Sequence, residues 1–342
     1  MNRINVNEMI LLLNPNSQGG NTGKTWIATY NKVKEFLPKD HRIIFTKKSN
    51  DGISITRKLL QKGYKNIVAI GGDGTINEIA NGFFGLKSQN KHIKDFEKFN
   101  LDSKLKQVNP KGIMYVIPSG SRNVLARSLE LKHQGVGALM RITHMKRRKM
   151  DVIAAVITDK DSPSLTHNRI IMNAAEIGVG AEIIDRSKRV RGKIKNRFVS
   201  TMASIVATVP SYNSNECDIV IDRDKKISSK MTMGIVANGR FLGGGFKAAP
   251  RAKFSDGLMD IIILKNSGSF KMIDKLIELK GTSTYKYEED ILYYQASEVK
   301  FLPKERNVTV SVDGEPIGIL PAIFKSYHNA LTIKSETPSS RI

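Results

Sequence analysis

Unbroken apolar runs and helically spaced apolar positions take turns along the first 145 residues. Met9–Asn14 is a short apolar run that predicts a strand. Thr22–Leu37 then places Trp26, Tyr30, Val33 and Leu37 three or four residues apart, the spacing of one buried helix face. The alternation repeats with Arg42–Thr46 as strand, Ile53–Leu60 as helix and Asn66–Ile70 as buried strand. A helix with Ile76, Ile79, Ala80 and Phe83 on one side follows. Gly112–Ile117 predicts a further strand that stops at Pro118, with helices after it to about Met145. Strands alternating with helices predict an α/β domain whose parallel sheet is covered on both faces. Ligands of such sheets gather at the carboxyl ends of the strands, where the loops lie.

From about Met150 the pattern changes to short strands separated by turn residues. Asp151–Thr158, Ile170–Ala175, Cys217–Asp222, Met231–Asn238, Gly257–Leu264, Glu298–Leu302, Asn307–Val312 and Ala330–Ile333 read as strands. Helices are expected near Ile183–Val190, Phe198–Val209 and Phe270–Leu279. The chain therefore divides into an α/β domain over residues 1–147 and a mainly β domain over 148–335, with a hinge near Lys146-Arg147-Arg148-Lys149. The polar, lysine-rich stretch Leu86–Lys111 has little periodicity and reads as a surface insertion.

Composition adds one unusual property. Of 342 residues, 55 are Lys or Arg and 32 Asp or Glu, a net charge of +23 that favours anionic partners. A single cysteine, Cys217, excludes an internal disulfide framework and fits a reducing cytoplasm. No apolar run approaches the roughly 18–20 residues needed to span a bilayer. The six histidines have no zinc-ligand spacing.

The chemistry concentrates in three turns that each follow a strand. Gly71-Gly72-Asp73-Gly74-Thr75 lets phosphate oxygens approach backbone amides at the start of a helix. A carboxylate in such a cradle repels phosphate unless a cation lies between them, so Asp73 points to Mg2+ or to proton abstraction. Asn14–Gly20 leaves the first strand and would lie beside it. The overlapping Gln18–Thr25 imitates a P-loop, but Gln18 stands where that motif needs glycine. Pro118-Ser119-Gly120-Ser121-Arg122-Asn123 is the third turn. Further on, Asp313 and Glu315, two apart in an extended segment, would point the same way and could hold a cation or share a proton.

Together these segments resemble the diacylglycerol kinase and sphingosine kinase family. Gly71–Glu78 matches its GGDGT-x-NE signature, and Pro118–Asn123 with Leu125-Ala126-Arg127 is similar to its PxGTxN-x-x-AR element. Gly243-Gly244-Gly245, Pro250 and Asp256-Gly257-Leu258-Met259-Asp260 resemble its GGG…P…DGLLD block, and Val312–Pro316 its VDGEP. The resemblance implies an N-terminal nucleotide domain, a C-terminal β-sandwich and a catalytic cleft between them. It implies an ATP- and Mg2+-dependent kinase of a diacylglycerol-like or sphingoid-like lipid hydroxyl. ATP would touch Asn14, Ser17, Gly19, Thr46, Gly71, Gly72, Asp73, Gly74, Thr75, Ser121 and Asn123. Glu315 would accept the proton, with Asp313 and Asp73 as its acidic partners. Lys253, Asp256 and Leu258 match a second-domain metal site. Ser121 replaces the commoner threonine, and Val124 stands where many bacterial members have aspartate.

The basic segment Arg186–Arg197 reads first as a solvated face and second as a dock for anionic lipid. The apolar positions after it, Phe198, Met202, Ile205, Val206 and Val209, read as core. The expected setting is cytoplasmic with peripheral contact to an anionic membrane surface. Nucleic acid is a minor alternative, and a homodimer is left open. The rival functions are a kinase of a soluble substrate related to NAD kinase, and an inactive relative that binds anionic lipid or nucleic acid.

Overall fold

The computed structural model describes residues 5–86, 93–190, 197–266, 290–304 and 307–336. The helix expected over Phe270–Leu279 and residues 191–196 of the basic segment lie outside the described residues. The chain divides into two compact units. The first is Met1–Leu86, Lys104–Met150 and Asn329–Ile342; the second is Lys87–Ser103 and Asp151–His328.

In the first unit β1 (Met9–Leu13) pairs in parallel with β2 (His41–Phe45) on one side and β3 (Asn66–Gly71) on the other. β3 pairs in parallel with β4 (Ile113–Pro118), and the end of the last strand sets Ile333 and Lys334 beside Met114 and Tyr115. All five residues of β1 are buried. Met9, Leu11 and Leu13 share a core with Trp26 and Val33 of α1 (Asn21–Val33) and with Ala138 and Leu139 of α5 (Gly135–Leu139). Ile10 and Leu12, on the opposite face of the strand, are fully buried as well. A strand covered on both faces reads as a continuous apolar run, as this one does. α2 (Asp51–Gln61) and α3 (Asp73–Gly82) pack against each other, and the short α4 (Val124–Ser128) follows β4. The basic run Lys146–Lys149, expected at a hinge, forms the start of a strand, β5 (Lys146–Thr158).

The second unit is antiparallel. Its strands are β6 (Thr166–Ile171), β7 (Ala174–Gly178), β8 (Asn215–Ile221), β9 (Lys225–Ala237), β10 (Met259–Lys265), β11 (Ile291–Ala296), β12 (Glu298–Pro303), β13 (Thr309–Val312) and β14 (Glu315–Ser335). β9 pairs with β7, β7 with β13, β13 with β14, β14 with β12, β12 with β8, and β8 with β9 again. The pairings close a ring, because β9 and β14 are long enough to serve two neighbours in succession. Inside lie Ile177, Ile219, Val310, Phe301 and Phe324, the last two edge to face with ring centroids 6.0 Å apart. α6 (Val179–Val190) and α7 (Arg197–Thr208) cover a second core through Ile183 and Ile205, with Val209 just beyond; Val206 is exposed.

Three expectations change here. Ile170–Ala175 is two strands, β6 and β7, broken at Met172-Asn173. β11 lacked a clear signal. The expected strand Ala330–Ile333 is the end of a 21-residue strand, hidden by Pro316 and Pro321. Pro316 lies opposite Ser311, where the β13–β14 register shifts, one of the places a sheet tolerates proline.

The described part of the lysine-rich insertion is fastened to the second unit's sheet. The Lys300 ammonium donates to the carbonyls of Glu97 (2.6 Å) and Phe99 (2.7 Å) and to Asn100 Oδ1 (3.4 Å). Lys325 donates to Leu101 O, the Tyr327 hydroxyl to Asp102 O, and Lys226 pairs with the Glu97 carboxylate. Lys300 is 2% exposed, and burial holds its pKa below the ordinary lysine range. Three acceptors offset that burial. Lys300→Met should therefore lower stability by about 2–4 kcal/mol, read from the urea midpoint, with faster amide exchange over residues 97–101. An unchanged midpoint and unchanged exchange would show that the ammonium does not hold the segment.

Candidate functional site

In the first unit three turns leave the sheet at the carboxyl ends of β1, β3 and β4, and they bond to one another. Ser119 N donates to Gly71 O at 2.7 Å, Gln18 Nε2 to Ser119 O at 2.9 Å, and Asn14 Nδ2 to Thr75 Oγ1 at 3.2 Å. The turns after β3 and β4 touch backbone to backbone: a Cβ on Gly120 would stand 2.3 Å from Gly72 Cα. Glycine at 120 is thus required by the close approach itself. Asp73 opens α3, whose first-turn amides have no acceptor within the helix. One carboxylate oxygen, Asp73 Oδ1, accepts from Leu125 N at 3.1 Å, so Asp73 caps α4 rather than its own helix.

The predicted contacts fall into two groups. Asn14, Ser17, Gly19, Gly71–Thr75 and Ser121 lie on the three joined turns. Thr46 adjoins them, its amide donating to Leu13 O at 2.9 Å, and it is buried. Ser121 is exposed. Asn123 is 3% exposed and fully engaged within its turn: its Oδ1 accepts from Gly120 N, and its Nδ2 donates to Gly120 O and Gln134 Oε1. It holds the turn's shape. Gln18, the residue that breaks the P-loop pattern, closes the first turn onto the third.

In the second unit Asp313 and Gly314 form the two-residue connection of the β13–β14 hairpin, with φ of 47° and 80°. Asp-Gly favours this left-handed type I′ turn, so the extended segment expected at Asp313 does not form. The Asp313 carboxylate turns back and accepts three backbone amides: Met172 N at 2.8 Å, Asn173 N at 2.9 Å and Ala174 N at 3.0 Å. Glu315, the first residue of β14, is exposed.

A polar network that sequence reasoning missed continues from that clasp. Asn173 donates to Phe241 O, and its own carbonyl accepts from Asn238 N and Gly239 N. Asn238, fully buried, donates to Asp151 O and Met172 O. Asp151 Oδ2 accepts from Gly257 N at 2.6 Å and its Oδ1 faces His328 Nδ1 at 3.1 Å. The sequence trace is a polar residue at one end of each apolar run.

The network ends beside the predicted metal residues Lys253, Asp256 and Leu258. Asp256 Oδ1 accepts from Leu258 N at 3.1 Å. Burial, with Asp256 beside it, pushes the Asp260 carboxyl up to about 7. Two close carboxyls and main-chain carbonyls are hard oxygen donors that suit Mg2+. Among the described residues no three His, Cys, Asp or Glu side chains converge, so a cation here would rest largely on backbone oxygens.

The chain is similar to known proteins over nearly its whole length. The profile described as the diacylglycerol kinase catalytic domain matches residues 8–155, and the YegS C-terminal NAD kinase beta sandwich-like domain matches residues 173–335. A Chromohalobacter salexigens protein named "Probable lipid kinase YegS-like" is 24% identical over 79% of this chain and 76% of its own. The Bacillus subtilis diacylglycerol kinase is 22% identical over 83% and 82%. The crystal structure of a diacylglycerol kinase from Bacillus anthracis superposes with a TM-score of 0.67 at 18% identity, covering 98% of both chains, a likeness of fold.

The two acids of the hairpin should behave differently on truncation. Asp313→Ala strands three amides and should cost about 3 kcal/mol, whereas exposed Glu315→Ala should change stability by less than about 0.5 kcal/mol. Equal melting temperatures for the two variants would refute the clasp.

Proposed function

For a chain that belongs, through its two matched domains, to the diacylglycerol kinase family of lipid kinases, we propose an ATP- and Mg2+-dependent transfer of the γ-phosphoryl group to the hydroxyl of a diacylglycerol-like or sphingoid-like lipid. The observation that carries this reading is the meeting of three glycine-bearing strand-end turns around a carboxylate, Asp73. Phosphoryl transfer asks for held phosphates, a cation and a base for the attacking hydroxyl.

The phosphates of ATP lie along the open amides of the Gly71–Thr75 turn, where the α3 N-terminus adds partial positive charge. Asn14, Ser17, Gly19, Thr46 and the Ser121 hydroxyl fix the rest of the nucleotide. A carboxylate among phosphates suits a Mg2+ held between them, and Mg2+ supplies neutralisation of charge on the transferring group. Asp73 fits that role with the oxygen that Leu125 N leaves uncommitted. Val124 offers no second carboxylate here, so the burden falls on Asp73. Glu315 accepts the proton of the lipid hydroxyl as it attacks the γ-phosphorus and the bond to the β-phosphate oxygen breaks. Asp313 keeps that hairpin in place. Lys253, Asp256 and Leu258 would hold a second, structural cation beside the Asp151 network.

The net charge of +23 suits a protein that meets an anionic membrane surface from the cytoplasm without entering it. No helix among the described residues is long and apolar enough to cross a membrane. The rival readings rest on less. A soluble-substrate kinase would use the same phosphate turns, and an inactive anion binder would have no use for an exposed Glu315.

Incubation with labelled ATP and a total lipid extract should yield a labelled lipid phosphate, and the reading fails if only a soluble acceptor such as NAD is labelled. Asp73→Asn and Glu315→Gln should each lower kcat by at least about a hundredfold with melting temperatures within a few degrees of the parent. Wild-type turnover in Glu315→Gln would remove it from the base role.

A further inference from the structure

One carboxylate in the first unit acts across two helices and has no part in the chemistry above. Glu78 lies on α3, five residues after Asp73. Its side chain reaches the segment between β2 and α2, where Oε1 accepts from Asn50 N at 3.0 Å and Oε2 from Gly52 N at 3.1 Å. Asn50 is the N-cap of α2, sits at a φ of 65°, and makes no capping bond with its own side chain. A helix start in that state leaves donors open, and Glu78 satisfies two of them from a different helix. The approach is tight. A Cβ on Gly52 would meet Glu78 Cβ and Oε2, each at 2.9 Å, so position 52 admits glycine alone while Glu78 stays in place.

The segment held in this way is short and otherwise self-braced. Asp51 Oδ2 accepts from Lys47 N at 2.8 Å and from Lys48 N at 3.1 Å, and those amide bonds keep its carboxyl below the usual range. At its start, Thr46 is bonded to Leu13, the residue before Asn14. The β2–α2 loop therefore stands next to the first phosphate turn at the carboxyl edge of the sheet, as a fourth wall beside the three joined turns. The same helix that presents Asp73 at its beginning fixes this wall one and a half turns later.

We propose that Glu78 is a positioning residue for nucleotide binding: it locks the Thr46–Gly52 loop against α3 so that the loop forms the nucleoside side of the ATP site. The proposal rests on the kinase reading and adds to it. Glu78 itself touches neither phosphate nor acceptor, so its loss weakens ATP binding and leaves the chemical step alone.

The full-length protein is titrated with Mg2+-ATP by calorimetry, alongside steady-state kinetics. Glu78→Ala should raise the ATP dissociation constant and KM about tenfold, as expected for losing two charge-assisted bonds, with kcat at saturating ATP and KM for the lipid little changed. Glu78→Gln keeps one acceptor and should fall between. Gly52→Ala, which wedges the carboxylate away from the other side, should weaken ATP binding as well, and it replaces Glu78→Ala if that variant does not fold. Arg57→Ala removes a separate tie from α2 to Phe84 O; it should lower the melting temperature with ATP affinity intact. Unchanged ATP affinity in Glu78→Ala and Gly52→Ala with a lowered melting temperature would make Glu78 a helix cap and nothing more. Should the parent protein bind no ATP, the kinase reading falls and this proposal with it; should it bind ATP and the variants equally well, only this proposal falls.

Discussion

Parallel strands paired in register end along one line, and the arrangement of this molecule follows from that constraint. Leu13 lies beside Ile70, Ile70 beside Ile117 and Gly71 beside Pro118, so the chain leaves the sheet at three adjacent points. Three turns with unrelated sequences are thereby forced within hydrogen-bonding distance. The glycines at 72 and 120 let two of them touch through the backbone. Register is in turn secured by burial on both faces of β1, since a slip of one residue would exchange the side chains facing the two helical layers. The anion-friendly edge is a by-product of how the core packs.

Polar groups in both units separate into those tied into the surrounding backbone and those turned towards solvent. Asn123 and Asp313 look chemically equipped, yet Asp313 is engaged by three backbone amides and Asn123 by the Gly120 backbone and the Gln134 side chain. Ser121 and Glu315, each a short step along the chain from one of them, face outward. A carboxylate that accepts three backbone amides would weaken those bonds on taking up a proton. One hairpin thus carries an anchored acid and an exposed one side by side.

Periodicity made the first unit's strands readable nearly to the residue, because β1, β3 and β4 are almost wholly apolar, while the helix expected over Thr22–Leu37 stops short at Val33. It was weaker where local rules meet tertiary overrides. Pro316 and Pro321 concealed most of β14, since a bulge accommodates proline in a way that local preference does not announce. Asp313 was legible as a special residue but its local conformation was not: Asp-Gly prefers a left-handed hairpin turn, and the amide donors it meets include one 140 positions away. Glu78 belonged to a recognisable motif without any visible task, because its partners, Asn50 and Gly52, are main-chain amides that leave no side-chain signature. Lys300 and the insertion it holds were equally silent for the same reason.

The matched domains are continuous stretches of sequence, whereas the compact units are not. Cutting the gene near codon 150 would give an amino-terminal half that carries the Lys87–Ser103 segment without the lysines that anchor it, and that lacks Ile333 and Lys334 alongside β4. The carboxy-terminal half would lose the cover over Lys300 and leave a buried ammonium bare. Recombination between relatives at that boundary is therefore penalised, and both halves are expected to be inherited together and to diverge in step.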